Sequence, residues 1–386
     1  MTFIACIMLA FACQSEGSNG GGAASIFKQP LTFDESSQDY DIEKNKWGFL
    51  DQKGEVAIKQ KYDDVQNFSE GFAAVRIKDK WAYIDKEGRQ LTDFKFAGAY
   101  PFRQGIAKVS NSERQSGLIN TKGAFVLKME YTELDDFSEG KASYLEGQRY
   151  GYINEKGEQL IPPKFEKAYA FQNGFAIVKD ADKYGLIDTS GEYRIRPKFE
   201  RLRLAANGVY KARNNGLYGY VDEVGKELIP LSLPFLSNVN EGIFVASVDD
   251  KKQLMNLKGE KLGDTHDDIW YINEDMYAHK SDGKHGILDK NGQVLLSAKY
   301  ELLNPFSDGL AAFQSDEKWG YLSLQLEEAI SAQYYLAWPF IDGQARVASE
   351  EGICIIDKNK KYILKGGYYD IRDYAEGRAR FKRMDY

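Results

Sequence analysis

Three cysteines and three histidines in 386 residues leave little room for two large classes of chemistry. Cys6 and Cys13 both lie in the first 13 residues, so Cys354 is the single thiol of everything that follows, and no disulfide framework can staple that part. A chain of this size has to rely on a buried core instead. His266, His279 and His285 occur without any motif that would make them catalytic. There is no G-x-S-x-G, no EF-hand spacing, no P-loop and no dinucleotide fingerprint. A basic balance is also missing. Lys and Arg number 51 against 58 Asp and Glu, a formal charge of −7, so the chain lacks the broad cationic surface that a phosphate backbone demands, and nucleic acid is not expected as a partner. The expectation is a protein that is not an enzyme and needs no cofactor.

Aromatic side chains, by contrast, are plentiful. Tyr (25) and Phe (22) raise the aromatic share to 13%, which suits strands better than helices, and 43% hydrophobic residues suffice for a core. Their order is periodic. Residues 150–183 begin YGYINEKGEQLIPPKFE, and residue 184 starts again with YGLIDTSGEYRIRPKFE, a repeat of about 34 residues. In register, the units start at Trp47, Trp81, Ser116, Tyr150, Tyr184, Tyr218, Lys252, His285, Trp319 and Ile353 and fill residues 47–386.

The columns of the repeat have structural chemistry. Gly follows the starting aromatic in Gly48, Gly117, Gly151, Gly185, Gly219, Gly286 and Gly320. The fifth position is Asp or Asn, as in Asp51, Asp85, Asn154, Asp188, Asp222 and Asp289, and the eighth is usually Gly. Alternation in Trp47-Gly48-Phe49-Leu50-Asp51 predicts a short strand. The D-x-x-G that ends it predicts a tight turn, with the Asp carboxylate accepting backbone amides and Gly taking a positive φ. A second strand follows, as in Gln159-Leu160-Ile161, with Pro162 marking its end. The segment with Phe165 and Phe171 reads as a loop or short helical turn that plugs the core. A third strand follows a Ser-Glu-Gly type turn, as in Gly71-Phe72-Ala73-Ala74-Val75. Each unit is then a three-stranded meander, too small to stand alone and stabilised by stacking on its neighbours.

Lys46-Trp47-Gly48-Phe49-Leu50-Asp51, Lys80-Trp81 and Lys318-Trp319-Gly320-Tyr321-Leu322 resemble the signature of the bacterial WG repeat family, also called KWG repeats. Phe68-Ser69-Glu70-Gly71 and Phe137-Ser138-Glu139-Gly140 resemble its second signature. The resemblance covers nearly all of residues 47–386. It implies an all-β array of interaction modules and brings no catalytic residues. The unit at 252–284 departs most, lacking both the aromatic-Gly pair and the second Gly.

Residues 1–13, MTFIACIMLAFAC, are apolar, uncharged and too short to span a bilayer, and Ala12 precedes Cys13. They resemble the signal peptide and lipobox of a bacterial lipoprotein, although Ala10 stands where Leu is usual and no Lys or Arg precedes the run. The resemblance implies lipidation at Cys13 and export to the cell envelope. Residues 14–30 then read as a flexible Gly/Ser tether and 31–386 as the repeat domain.

Either an open, superhelical, solenoid-like array or a β-propeller-like ring would accommodate such units. The alternation at residues 40–43 could already occupy the partner position of the strand at Trp47, which favours the open array. On that reading Arg378, Arg380, Lys382 and Arg383 put protective charge on an exposed last edge. The aromatic columns are regular enough to be core, so binding is expected where the repeat is irregular. The candidates are the loops at 111–116, at 201–207 with Arg201 and Arg203, and at 264–271 with Asp264, His266, Trp270 and Tyr271. His266 with its neighbouring aspartates could hold a divalent cation, but the favoured view is a solvated acidic loop, with no metal. The expected function is a non-catalytic scaffold for protein partners, anchored in the envelope by the Cys13 lipid; the alternative is a glycan-binding accessory lipoprotein that takes an envelope polysaccharide.

Overall fold

The computed structural model describes residues 46–366 and 368–383. Cys13, the 14–30 tether and the strand expected at 40–43 lie outside the described residues. Among the described residues all regular structure is β, in ten small antiparallel sheets arranged in a ring that resembles a ten-bladed β-propeller. The helical turn entertained around Phe165 and Phe171 is not formed.

Blade boundaries do not coincide with the sequence units. A typical blade runs Lys167–Ala168, Phe175–Asp180, Lys183–Asp188 and Tyr193–Phe199, so it takes the end of one unit and the start of the next. Numbered along the chain from the sheet that opens with Asp64–Val65, this is blade four. Blade five spans Arg201–Ala206, Val209–Asn214, Leu217–Val221 and Glu227–Leu233. Blade six spans Ile243–Val248, Lys251–Asn256 and Lys261–His266. Blade seven spans Asp268–Asn273, Met276–Ser281, Lys284–Asp289 and Val294–Tyr300.

The turn chemistry follows the sequence. Asp188 Oδ1 accepts the backbone N–H of Ser190 at 3.0 Å and of Glu192 at 3.2 Å, and Gly191 closes the turn at φ 86°. Asp222 does the same for Val224 and Lys226, and Asn256 reproduces it with an amide oxygen for Lys258 and Glu260. Asp and Asn therefore alternate freely in this column because only an acceptor oxygen is needed.

The Gly after the starting aromatic has a different reason. The fourth strand bulges toward it, and a Cβ on Gly48, Gly151 or Gly219 would lie 2.5 Å from the carbonyl oxygen of Ile58, Ile161 or Ile229. In these three blades no side chain fits there, whereas Gln253 and Cys354 hold the column in blades six and nine. Blade one has Ala82 in this column, and its fourth strand is reduced to isolated bridges at Trp81–Phe96 and Ile84–Gln90. Pro162 does not end its strand as expected: Gln159–Phe165 runs through Pro162 and Pro163. It is an edge strand, whose outer N–H groups have no ladder partner to lose.

The aromatic columns are core. Tyr62, Phe96, Phe165, Tyr300 and Tyr334 are buried, and Phe102, Phe171 and Phe340 plug the blade ends by packing edge-on against Tyr83, Tyr152 and Tyr321. Each of these tyrosines donates its hydroxyl to a loop carbonyl, of Tyr100, Tyr169 and Trp338 respectively, at 2.6–2.7 Å. Burial pushes all three phenols above their ordinary range.

The ring closes, which corrects the preference for an open array. Trp47–Leu50 pairs with Arg378–Arg383 in the register Gly48↔Phe381 and Leu50↔Ala379, so blade ten is built from both ends of the repeat domain. The cationic residues expected on a free edge lie in the seam instead. Arg378 donates to the Lys86 carbonyl at 3.2 Å, Arg380 to that of Val65 at 3.0 Å, and the Lys382 ammonium lies over the Trp47 ring.

Candidate functional site

Two groups of departures from the repeat stand out. The first lies where blades six and seven meet. Across the ladder from Lys252, at the end of its strand, the column that holds Tyr or Phe in most blades holds His266. The position that holds Val75, Val178 and Val347 in other blades holds His279, opposite Gly286. All three histidines are buried, so His266 is not part of a solvated acidic loop: it ends the strand Lys261–His266, although Asp264 and Asp267 beside it are exposed. The 264–271 stretch is two strands joined at Asp267 rather than an irregular loop.

His266 and His279 form one hydrogen-bonded set through Ser281, and His285 lies outside it. The rings of His266 and His279 are 4.4 Å apart, and Ser281 Oγ lies 3.1 Å from His266 Nδ1 and 3.3 Å from His279 Nδ1. His279 Nε2 faces the Leu296 carbonyl at 3.4 Å and so carries a proton. Its Nδ1 then accepts from the Ser281 hydroxyl, which accepts from the Nδ1–H of His266. That order leaves His266 Nε2 an unprotonated acceptor, buried and without a partner. Burial, then the neighbouring His279, holds His266 below the ordinary imidazole value; burial does the same for His279 and, followed by Lys280, for His285. Read singly, each histidine looked isolated. The signal that joins them is the column arithmetic, which sets 279 and 285 on paired strands of blade seven and 266 at the end of the last strand of blade six.

Trp270 is half-buried, packed edge-on against His285 with ring centroids 5.1 Å apart. Tyr271 is exposed, with its ring against Tyr277. Among the described residues no group of three or more His, Cys, Asp or Glu side chains is placed to hold a metal ion.

The second group is in blade five. Arg201 and Arg203 are not in a loop as expected but in the strand Arg201–Ala206, both exposed, opposite Arg213 and Lys211 respectively. They are not brought together with the blade six and seven residues in one sheet.

A third feature went unrecognised in the sequence. The Ser-Glu-Gly type turns and the D-x-x-G turns fall at the same end of each blade, because the first precedes a strand whose antiparallel partner leads into the second. At the seam they border an open polar cleft of about 650 Å³ lined by Asp51, Gln52, Lys53, Lys86, Asp342 and Glu376, among others.

The closed ring of small sheets and the turn chemistry define a β-repeat protein of propeller-like build. The family described as WG containing repeat matches residues 47–81, 81–113, 117–149, 150–184, 184–218, 218–251, 286–319 and 355–385, and the chain belongs to that family. The matches leave out residues 252–285, which carry all three histidines, and residues 320–354. No curated protein matches the sequence. Among solved structures, a eukaryotic initiation factor is similar over 88% of this chain and 98% of its own, with 10% identity and a TM-score of 0.46. BamB from Moraxella catarrhalis is similar over 83% and 91%, with 11% identity and a TM-score of 0.32. Hsv2 from Kluyveromyces lactis is similar over 69% and 98%, with 10% identity and a TM-score of 0.33.

Proposed function

We propose that this chain is a non-catalytic interaction scaffold, held in the bacterial cell envelope by a lipid on Cys13, whose ring engages protein partners. The observation that supports it most is the linked set of turns on one end of the ring. Glu376 accepts the N–H groups of Glu70 and Gly71, Glu70 accepts those of Gln104 and Gly105, Glu139 accepts that of Gly174, and Asp308 accepts that of Gly343. Turns that would otherwise move independently are fixed to a neighbouring turn, and a surface fixed in this way loses little conformational entropy when a partner docks. The apolar run before Cys13 and the Gly/Ser stretch behind it suit a tether that holds the ring off a membrane.

The test is crosslinking in cells followed by pulldown from membranes. A defined protein recovered with the wild type supports the scaffold; recovery of nothing above a control ring counts against it. Fatty-acid labelling should tag the wild type and fail for Cys13→Ala, and equal labelling of the two would remove the anchor from the proposal. The exposed Tyr271 ring favours a second reading, glycan binding by stacking. Retention on an envelope polysaccharide that Tyr271→Ala abolishes would favour it.

A further inference from the structure

Blade five carries an arrangement that a sheet ordinarily avoids. Arg201 stands directly opposite Arg213, and Arg203 directly opposite Lys211, so four cationic side chains share one face of two adjacent strands. Like charges opposed in this way destabilise a sheet. Three more cations, Arg194, Arg196 and Lys198, are exposed on the strand Tyr193–Phe199 just before. The only acid between residues 194 and 213 is Glu200. Among the described residues none of these seven cations is in an ion pair.

Three other blades set an acid opposite a base at the register position of Arg201 and Arg213. Asp64 faces Arg76 and pairs with it at 3.5 Å; Asp268 faces Lys280, and Asp370 faces Lys382. Lys167 and Lys179 in blade four are alike in charge, but Lys179 is neutralised by Glu166 and Asp182. Blade five has arginine in that position, and among the described residues no ion pair neutralises it. The crowding is felt locally: burial, followed by the charge of Arg203, holds the Lys211 ammonium below its ordinary value, and Arg213 Nε is buried without a partner. Lys211 donates to the Leu236 carbonyl at 3.2 Å, and both Lys211 and Arg213 lie against the Tyr218 ring, which holds them in place.

We propose that this face of blade five is the docking site for an acidic segment of a partner protein, whose carboxylates take the place that Asp64, Asp268 and Asp370 fill from within the chain in other blades. Arg201 and Arg203 are exposed and offer planar forks for bidentate carboxylate binding, while Lys211 and Arg213 supply charge behind them. The inference rests on the scaffold reading and names its partner's chemistry.

The experiment uses a fluorescein-labelled hexaglutamate peptide, read by anisotropy against the folded protein, with a hexalysine peptide and anionic phosphatidylglycerol vesicles as parallel arms. The comparison variant is Arg201→Asp with Arg203→Asp, which sets an acid opposite Arg213 as Asp64 stands opposite Arg76, adds a second acid opposite Lys211, and is expected to melt no lower than the wild type. Hexaglutamate should bind the wild type at least about tenfold more tightly than the variant, equivalent to about 1.4 kcal/mol, and the binding should weaken with salt. Equal binding to both proteins, or binding of vesicles with none of hexaglutamate, would overturn the proposal. The same variant separates it from the scaffold reading. A membrane partner crosslinked by wild type and variant alike leaves the scaffold standing and removes this site. Hexaglutamate binding without any crosslinked partner leaves the site and removes the scaffold.

Discussion

Glu376, in the last turn of the ring, accepts the backbone N–H of Glu70 at 2.7 Å and of Gly71 at 2.9 Å, joining the final turn to the first Ser-Glu-Gly turn described. Glu70 and Gly71 have φ of 52° and 84°, the two left-handed residues of a type I′ hairpin, and this geometry points both amides at the same acceptor. Lys86 lies 3.2 Å from the same carboxylate. Burial alone would raise the Glu376 carboxyl, but the Gly71 amide and Lys86 outweigh it and hold it below the ordinary value of 4.5. A carboxyl lowered by folding stabilises the folded state above its unfolded value and loses that contribution as pH falls through the folded value. Glu376→Gln should therefore lower the melting temperature by about 2–4 °C at pH 7, for a loss of about 1 kcal/mol at this partly exposed site. The deficit should shrink below pH 4, and melts across that range will check it.

The fifth-position Asp acts through one oxygen, which separates charge from hydrogen bonding. Asp222 Oδ1 accepts from Val224 at 3.0 Å and Lys226 at 2.8 Å. Asp222→Asn keeps the acceptor, as Asn256 does naturally, and should melt within about 1 °C of the wild type. Asp222→Ala leaves both amides to water and should cost about 1 kcal/mol, or roughly 2–4 °C. If the Asn and Ala variants melt alike, the carboxylate charge is what matters and the turn explanation fails.

A good part of this architecture was legible because its columns encode local chemistry. Asp188 and Gly191 announce a turn from their residue types alone, and the alternation around Tyr184 announces a strand. What was not legible depends on contacts between distant parts of the chain. Closure pairs Gly48 with Phe381, and nothing local to either residue records that partnership. The alternation at 40–43 offered a nearer candidate, and proximity along the chain was the wrong guide. The site residues divide in the same way. Arg201 and Arg203 were singled out as departures, but the weight of that departure appears only when Arg213 and Lys211 are seen opposite them. The histidines were judged one at a time because 266, 279 and 285 share no local motif, and His266 meets His279 only where blade six packs against blade seven.

The glycine column yields a steric prediction. In Gly219→Ala the new Cβ would lie 2.5 Å from the Ile229 carbonyl oxygen and 2.7 Å from the Leu231 amide nitrogen, both backbone atoms of the bulged edge strand. The strand Glu227–Leu233 has to move away, as the fourth strand of blade one has done beside Ala82. The cost should be about 3 kcal/mol. Hydrogen exchange should show the loosening confined to residues 227–233, with blade nine and the seam unchanged. Protection lost evenly around the ring would mean that the blades melt as a single unit and that the bulge contact is not the local constraint.

The buried imidazoles make the junction of blades six and seven sensitive to acid at a pH where the carboxylates are still ionised. Burial, then His279, lowers His266 from its ordinary 6.5, so the folded state resists a proton that the unfolded chain accepts. Between the ordinary value and the lowered one, unfolding takes up protons. The stability contributed by the neutral imidazole is complete above about pH 6.5 and is lost as pH falls below it. Within the His266–Ser281–His279 chain protonation has a definite site, because His266 Nε2 has no partner there and cannot keep both charge and burial. His266→Tyr puts the residue of Tyr62 and Tyr300 into the same column and removes the titrating nitrogen. Wild type should lose melting temperature steadily from pH 7 to pH 5, and His266→Tyr should lose less over the same interval. Parallel slopes for the two proteins would show that the proton is taken up elsewhere, with His279 and His285 the next positions to replace.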